Sequence, residues 1–327
     1  MATLDNQKVK LLSLSANKQL AQEISDFTNI PLSKCEVKRF ADGEIGVNIE
    51  ETVRGHHVFI IQPTHAPVNE HYMELLIMID AVKRASSKSV NVVMPYYGYS
   101  RQDRKSASRQ PISAKLVANL LETAGADRVI SMDLHAGQIQ GFFDIPIDNL
   151  LAMPLIVDHF KDKFPNEDLV IVSPDHGGAV RARTMGNAMG APIAIIDKSR
   201  PEANAVEMMG IVGDVSDRIA IIIDDLIDTA GTISSASHAL KDAGAKAVYA
   251  ACTHAIFSPP AKERIDESAI EEIVTTNTIE LSPEQKSDKV KQLSVANLIG
   301  QSILNIIMDK PLSQLFEAST KQKPYRQ

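Results

Sequence analysis

The sequence predicts an α/β protein of two related halves, each a mostly parallel sheet flanked by helices. Three observations carry this expectation. Short runs rich in Val and Ile recur, the runs are continuous rather than alternating, and helical patterns separate them. A continuous apolar run suits a strand covered on both faces by helices, as in a parallel sheet. Regular alternation of such runs with helical patterns marks an α/β architecture.

In chain order, the strand candidates are "VKLLSLS" (9–15), "HVFIIQ" (57–62), "VNVVMPYY" (90–97) and "RVISMDL" (128–134). They continue with "DLVIVSP" (168–174), "PIAIID" (192–197), "RIAIIID" (218–224) and "AKAVYAACT" (245–253). Helical patterns cover "NEHYMELLIMIDAVKRA" (69–85), "PISAKLVANLLETAG" (111–125) and "TISSASHALKDAG" (232–244). Pro111 suits a helix start, while Gly125 and Gly244 suit helix ends. The segments "TAGADRVISMDLHA" (123–136) and "DAGAKAVYAACTHA" (242–255) match at Ala, Gly, Ala, Val, His and Ala, which points to two halves built on one plan. The break falls near "IDNLLAMP" (147–154), giving domains 1–149 and 150–327. No Gly/Ser-rich linker separates them. The tail 317–327 is polar and is expected to fray, the alternative being that the extreme C-terminus packs back on the first domain.

The 327 residues suffice for two cores, and a composition 44% hydrophobic and 23% charged is that of a globular chain. A net charge of −7 argues against broad binding to nucleic acid or anionic membranes. An anionic ligand must therefore be held by local donors. Cys35 and Cys252 are too few for a disulfide framework or a cysteine metal site. With no signal peptide and no apolar run of membrane-spanning length, the expected location is cytoplasmic.

The most informative stretch is "RIAIIIDDLIDTAGT" (218–232). An apolar strand ends in Asp224 and Asp225, followed by Asp228, Thr229, Ala230, Gly231 and Thr232. Free backbone N–H groups at a helix start, with threonine hydroxyls beside them, make a phosphate cradle. Carboxylates just upstream can accept hydrogen bonds from vicinal hydroxyls, so the ligand suggested is a phosphorylated sugar. The plain alternative is an Asp cap and turn before a helix. Asp224 and Asp225 are adjacent, so their side chains diverge unless the strand has already ended.

Four other stretches carry chemistry. In "SMDLHAGQ", Asp133 and His135 stand two apart at a strand end, where together they can hold Mg²⁺ directly or through water; a buried, hydrogen-bonded histidine is the alternative. In "SPDHGGAVRAR", Gly177 and Gly178 let backbone approach an anion, beside Asp175 and His176. "RQDRKSASR" is basic, with Arg101, Arg104, Lys105 and Arg109, and by itself reads equally as a solvated face. "DKSRPEAN" (197–204) reads as a polar loop whose Lys198 and Arg200 could close over a diphosphate, or as an ordinary surface loop.

Taken together, "FADGEI" (40–45), "YGYSRQDRK" (97–105), the run 111–150, "SPDHGGAVRAR", "DKSRPEAN" and "IIIDDLIDTAGT" resemble the ribose-phosphate pyrophosphokinases of the phosphoribosyltransferase superfamily over nearly the whole chain. The resemblance implies two pseudo-symmetric phosphoribosyltransferase-like domains. It implies diphosphate transfer from ATP to ribose 5-phosphate, with Mg²⁺ as cofactor. It makes Lys198 and Arg200 catalytic, and gives the ribose 5-phosphate to Arg200, Asp224, Asp225, Asp228, Thr229, Ala230, Gly231 and Thr232. ATP falls to Arg101 and Gln102, with Asp42, Gly43 and Glu44 contributed by a neighbouring subunit of a homohexamer. The metal-associated residues are His135, Asp175 and Asp133, and a phosphate or ADP regulatory site lies near Arg54, Ser108 and Arg109. Ser199 and Glu202 depart from the family pattern, where further basic residues are frequent. Two rivals remain at this point: a phosphoribosyltransferase that consumes the diphosphate product, and a non-catalytic regulatory homologue.

Overall fold

The structure, a computed structural model, describes residues 8–199, 208–313 and 315; for residues 198, 199, 208 and 209 the backbone alone is described. The chain divides into two compact units. The first comprises the described residues up to Leu151, with Thr278–Glu280 and Ser294–Leu315; the second comprises those of Ala152–Asn277 and Leu281–Leu293.

The first unit begins with β1 (Val9–Ser13) and α1 (Lys18–Thr28), followed by the hairpin β2 (Cys35–Arg39) and β3 (Ile45–Ile49). Then come β4 (His57–Ile61), α2 (Val68–Arg84), β5 (Ser89–Met94), α3 (Ser113–Ala124), β6 (Arg128–Met132) and β7 (Ile147–Leu150). The strands β1-β4-β5-β6-β7 form a parallel sheet in that order, so the sheet grows in one direction without reversing. Leu12, Ile60, Val92 and Val129 are fully buried, as the continuous runs require. The helix α3 starts two residues after Pro111 and ends on Gly125, whose φ of +112° and backbone bonds back to Leu121 and Glu122 close the last turn. Gly244, at the matching place in the sequence echo, also has positive φ, at +90°.

The second unit runs through α4 (Met153–Lys163), β8 (Leu169–Ser173), α5 (Ala179–Met189), β9 (Ile193–Ser199), β10 (Met208–Val212) and β11 (Ile219–Ile227). It continues with α6 (Gly231–Asp242), β12 (Ala247–Ala255), α7 (Ala261–Glu267), β13 (Ile270–Thr276) and β14 (Val290–Leu293). Its sheet has the order β10-β9-β8-β11-β12-β13-β14, parallel except where β10 pairs antiparallel with β9. From β8 the chain first moves outward to β9 and β10, then returns to place β11 on the other side of β8. This reversal makes β8/β11 a topological switch point, where the loops leave in opposite directions and open a crevice at the carboxyl ends of the strands. Every residue of β12 is buried and so are Ile219–Ile223 of β11, each large side chain contributing about 1.5–3 kcal/mol of hydrophobic stabilisation. The last helix, α8 (Ala296–Ile307), belongs to the first unit and packs on α1, and Ser294 before it donates to Glu23 at 2.5 Å.

Two expectations need correction. β11 does not end at Asp224; it runs to Ile227, held there by β12 through the pairs Asp224↔Cys252 and Leu226↔His254. Likewise β9 runs to Ser199, so Asp197–Ser199 form strand backbone paired with β10 instead of loop. Arg200, Glu202 and the tail 317–327 lie outside the described residues, as does the side chain of Lys198.

Candidate active site

Pairing of β11 with β8 stops at Ile222↔Val172, so the flank of β11 beyond Ile222 faces the switch-point crevice. Asp224 and Asp225 stand on that segment. An arginine from α5 reaches both: Arg181 Nη1 lies 2.9 Å from Asp224 Oδ1, and Nη2 lies 3.2 Å from Asp225 Oδ1. The backbone N–H of Asp225 also donates to Asp224 Oδ1, at 2.9 Å. Asp225 is nearly enclosed, its side chain 6% exposed, against 27% for Asp224 and 26% for Arg181. Burial pushes the Asp224 carboxyl up to about 7, helped by the neighbouring Asp225 charge and opposed by Arg181. Behind the pair on β12, burial raises the Cys252 thiol to about 12, so it is a neutral neighbour.

Downstream, residues 228–232 lead into the N-terminus of α6. Ala230 caps the helix in the left-handed region at φ +57°. A non-glycine residue there is strained and persists only where its surroundings fix it, which places residues 230–232 as a defined corner. Ser234 N donates to Ala230 O as the helix begins. Arg264 of α7 donates from Nη1 to the Thr229 carbonyl at 2.9 Å, holding the corner from outside. Helix N-termini carry aligned peptide dipoles and free amides that suit an anion, and this one stands beside the two acids.

On the other wall of the crevice, β8 ends in Ser173 and the loop 174–178 opens α5. Asp175 Oδ1 accepts from Gly178 N at 2.9 Å, and Ser173 Oγ donates to Asp175 O at 2.6 Å. A Cβ on Gly178 would come within 2.7 Å of Ser173 Oγ, so glycine is needed for this close approach. His176 Nδ1 stands 3.9 Å from Asp197 Oδ1, which sets the end of β9, and with it the Lys198 backbone, beside this loop. One unit therefore gathers Asp175, Asp224, Asp225, the 228–232 corner and the Lys198 backbone.

The remaining expected residues stand in the first unit. β6 ends at Met132 and Asp133 turns left-handed at φ +39°, so strand alternation does not place Asp133 and His135 on one face as expected. Their loop is set instead by Asp133 N donating to Leu150 O at 2.9 Å and Leu134 N donating to Asn149 Oδ1 at 3.0 Å. His135 is exposed and Asp133 half-buried. Arg101 and Gln102 lie in the loop after β5; Gln102 Oε1 accepts from Ser113 Oγ at 2.5 Å. The buried Asp103 accepts from Gln138 Nε2 at 2.5 Å, joining this loop to the turn that follows His135. Asp42, Gly43 and Glu44 form the exposed tip of the β2–β3 hairpin, with Gly43 at φ +94° and Glu44 N donating to Asp42 Oδ1 at 3.1 Å. Arg54 lies in the turn before β4, and Ser108 and Arg109 in the loop before α3; all three are exposed. Among the described residues, no three His, Cys, Asp or Glu side chains converge as a metal cluster, and no helix is long and apolar enough to cross a membrane. The sequence reading assigned no role to Arg181, Arg264 or Asp103. A signal for Arg181 did exist, since two adjacent buried acids demand a cation and "GGAVRAR" offers one.

An acid pair, a helix start and a glycine loop converge at one switch point of an α/β sheet. The chain's residues 9–125 match the model of the N-terminal domain of ribose phosphate pyrophosphokinase, and residues 151–317 match that of the phosphoribosyl synthetase-associated domain. It is 60% identical over 315 residues to the ribose-phosphate pyrophosphokinase of Staphylococcus aureus (strain Mu50), covering 95% of this chain and 98% of the relative. It is 58% identical over 314 residues to that of Staphylococcus saprophyticus, with the same coverage of 95% and 98%. The phosphoribosylpyrophosphate synthetase of Mycobacterium smegmatis superposes with a TM-score of 0.89 at 39% identity, over 93% of this chain and 100% of that one. The chain belongs to the ribose-phosphate pyrophosphokinase family.

Proposed function

We propose that the protein converts ATP and ribose 5-phosphate to AMP and 5-phospho-α-D-ribose 1-diphosphate. The observation that carries this reading is the Asp224–Asp225 pair placed directly upstream of the 228–232 corner, across the crevice from the Asp175 loop. A phosphate in the corner, on Asp228, Thr229, Ala230, Gly231 and Thr232, lays the ribose back along β11, where Asp224 and Asp225 accept from its hydroxyls. The anomeric hydroxyl attacks the β-phosphorus of ATP. A new C1–O–Pβ link is completed as the bond from Pβ to the α-phosphate oxygen breaks, and AMP departs. Such a transfer needs alignment and charge stabilisation more than covalent help. Lys198 and Arg200 supply cations to the transferring group.

Mg²⁺, when bound, neutralises the diphosphate oxygens and orients them. Carboxylates such as those of Asp175 in the second unit and Asp133 in the first are the ligand type this hard cation takes, while the imidazole of His135 suits a water-mediated contact. Asp175 stands exposed on its loop, with Oδ1 accepting from Gly178 N. ATP lies against Arg101 and Gln102, and the exposed hairpin tip Asp42–Glu44 serves a neighbouring subunit of a homohexamer. The division of labour puts ATP and regulatory contacts in residues 1–149, with a phosphate or ADP site near Arg54, Ser108 and Arg109, and the sugar and diphosphate loops in residues 150–327.

The test is to supply the purified chain with ATP, Mg²⁺ and ribose 5-phosphate. AMP should appear in step with the 1-diphosphate product. Absence of AMP across a range of phosphate and Mg²⁺ concentrations overturns the reading.

A further inference from the structure

We propose that Arg181 is a positioning residue for the sugar site: its guanidinium bridges Asp224 and Asp225 across the β8/β11 crevice and presents both carboxylates to the ribose hydroxyls. This rests on the function proposed above. The geometry is specific. Arg181 is the third residue of α5, the helix opened by the Asp175–Gly178 loop, so its side chain starts on the diphosphate side and ends on the sugar side. Nη1 donates to Asp224 and Nη2 pairs with Asp225 at 3.2 Å, a forked engagement that a lysine ammonium cannot reproduce as a single point charge. The same Nη1 lies 3.8 Å from the position a Cβ on Gly178 would occupy, so the guanidinium also packs against the diphosphate loop. One side chain thus ties the two substrate loops together.

The bridge answers a physical problem. Two adjacent acids on one strand, one of them nearly enclosed, repel each other and lose hydration. Without a fixed cation, the Asp224 carboxyl would hold its proton to still higher pH and would present a donor where the diol needs an acceptor. Among the described residues, the charged groups acting on Asp224 are Asp225 and Arg181, with the neutral Cys252 thiol behind them on β12. Arg181 is the cation of this set, and it opposes the effects of burial and of Asp225. It acts on substrate through the acids and stays bonded to them while the diol is held.

The experiment measures kcat, KM for each substrate, and ribose 5-phosphate binding by calorimetry, from pH 6 to 9, for the intact protein and for Arg181→Met and Arg181→Lys. For Arg181→Met, KM for ribose 5-phosphate should rise about tenfold or more and the acid limb of its pH dependence should move upward by about one unit, while KM for ATP changes less than about twofold. Arg181→Lys should keep the acid limb near that of the parent, because the charge remains, yet bind the sugar more weakly, because the fork is lost. Adding Arg181→Met to Asp224→Asn should weaken sugar binding little further, as expected when one residue acts through the other. An unmoved acid limb with unchanged sugar binding in Arg181→Met overturns the proposal. So does equal loss for both substrates, or full additivity with Asp224→Asn. If the parent protein makes no AMP, the functional reading falls, while sugar binding still decides the role of Arg181.

Discussion

The Arg264 guanidinium donates from Nη1 to the Thr229 carbonyl at 2.9 Å, so a helix downstream of the 228–232 corner holds the corner's backbone. The same nitrogen lies 3.2 Å from where a Cβ on Gly231 would stand. Replacing Arg264 by Met leaves the Thr229 carbonyl without this charged donor, a bond worth about 1.5–3 kcal/mol. Steady-state kinetics should show KM for ribose 5-phosphate raised about tenfold, with KM for ATP little changed. Gly231→Ala should have a smaller effect in the same direction, because the flexible end of Arg264 can give way.

Lys198 tests the electrostatic part of the reaction. A cation that engages the transferring group mainly in the transition state raises kcat more than it raises affinity. Lys198→Ala should therefore lower kcat by about a hundredfold or more, with ATP binding measured by calorimetry close to that of the parent. Loss of ATP affinity at unchanged kcat would assign the lysine to binding alone.

The acid pair should leave its mark on stability in the ligand-free protein. Asp224 titrates near 7 when folded, against an ordinary value of 3.8. Between these values the folded state holds a proton that the unfolded chain has released, so stability falls as pH rises from about 4 to about 7. Asp224→Asn removes that proton linkage. Thermal unfolding of the two proteins should show the variant gaining on the parent across this window, and a constant difference in Tm would place the raised carboxyl elsewhere.

The shared ATP site is open to a mixing test. If the hairpin tip serves a neighbour, Asp42→Ala damages a site in trans, whereas Lys198→Ala damages its own. Subunits of the two inactive variants, dissociated together and reassembled, should regain part of the parent activity, because some sites then combine an intact hairpin with an intact lysine. No recovery in reassembled oligomers would put Asp42 and Lys198 in service of the same subunit's site.

What the sequence disclosed follows from where information is local. Central strands such as β8, β11 and β12 are covered on both faces, so their apolar runs are unbroken and were readable. The hairpin "CEVKR"/"IGVNI" and the edge strand β14 are half-exposed and mixed in polarity, with no period strong enough to mark them, while β13 is mostly buried but its apolar residues are broken by two glutamates. The true end of β11 was hidden because acids usually close a strand. Here β12 goes on pairing with Asp224 and Leu226 after β8 has left, which is a tertiary fact. The corner that leads into α6 was visible as the run "DTAGT" after an apolar strand. Two adjacent acids after an apolar run call for a cation, but which one answers is not local: Arg181 stands 43 residues away and is brought across by a switch point that only the strand order creates.

The central claim is transfer of an intact diphosphate from the β-phosphorus of ATP to the sugar. ATP labelled with radioactive phosphorus, separately at the α and β positions, tests it directly with the purified protein, Mg²⁺ and ribose 5-phosphate. The α label should appear in AMP and the β label in 5-phospho-α-D-ribose 1-diphosphate, in equal molar amounts. A β label recovered in ADP or in free diphosphate before any sugar product, or α label attached to the sugar, would contradict the account.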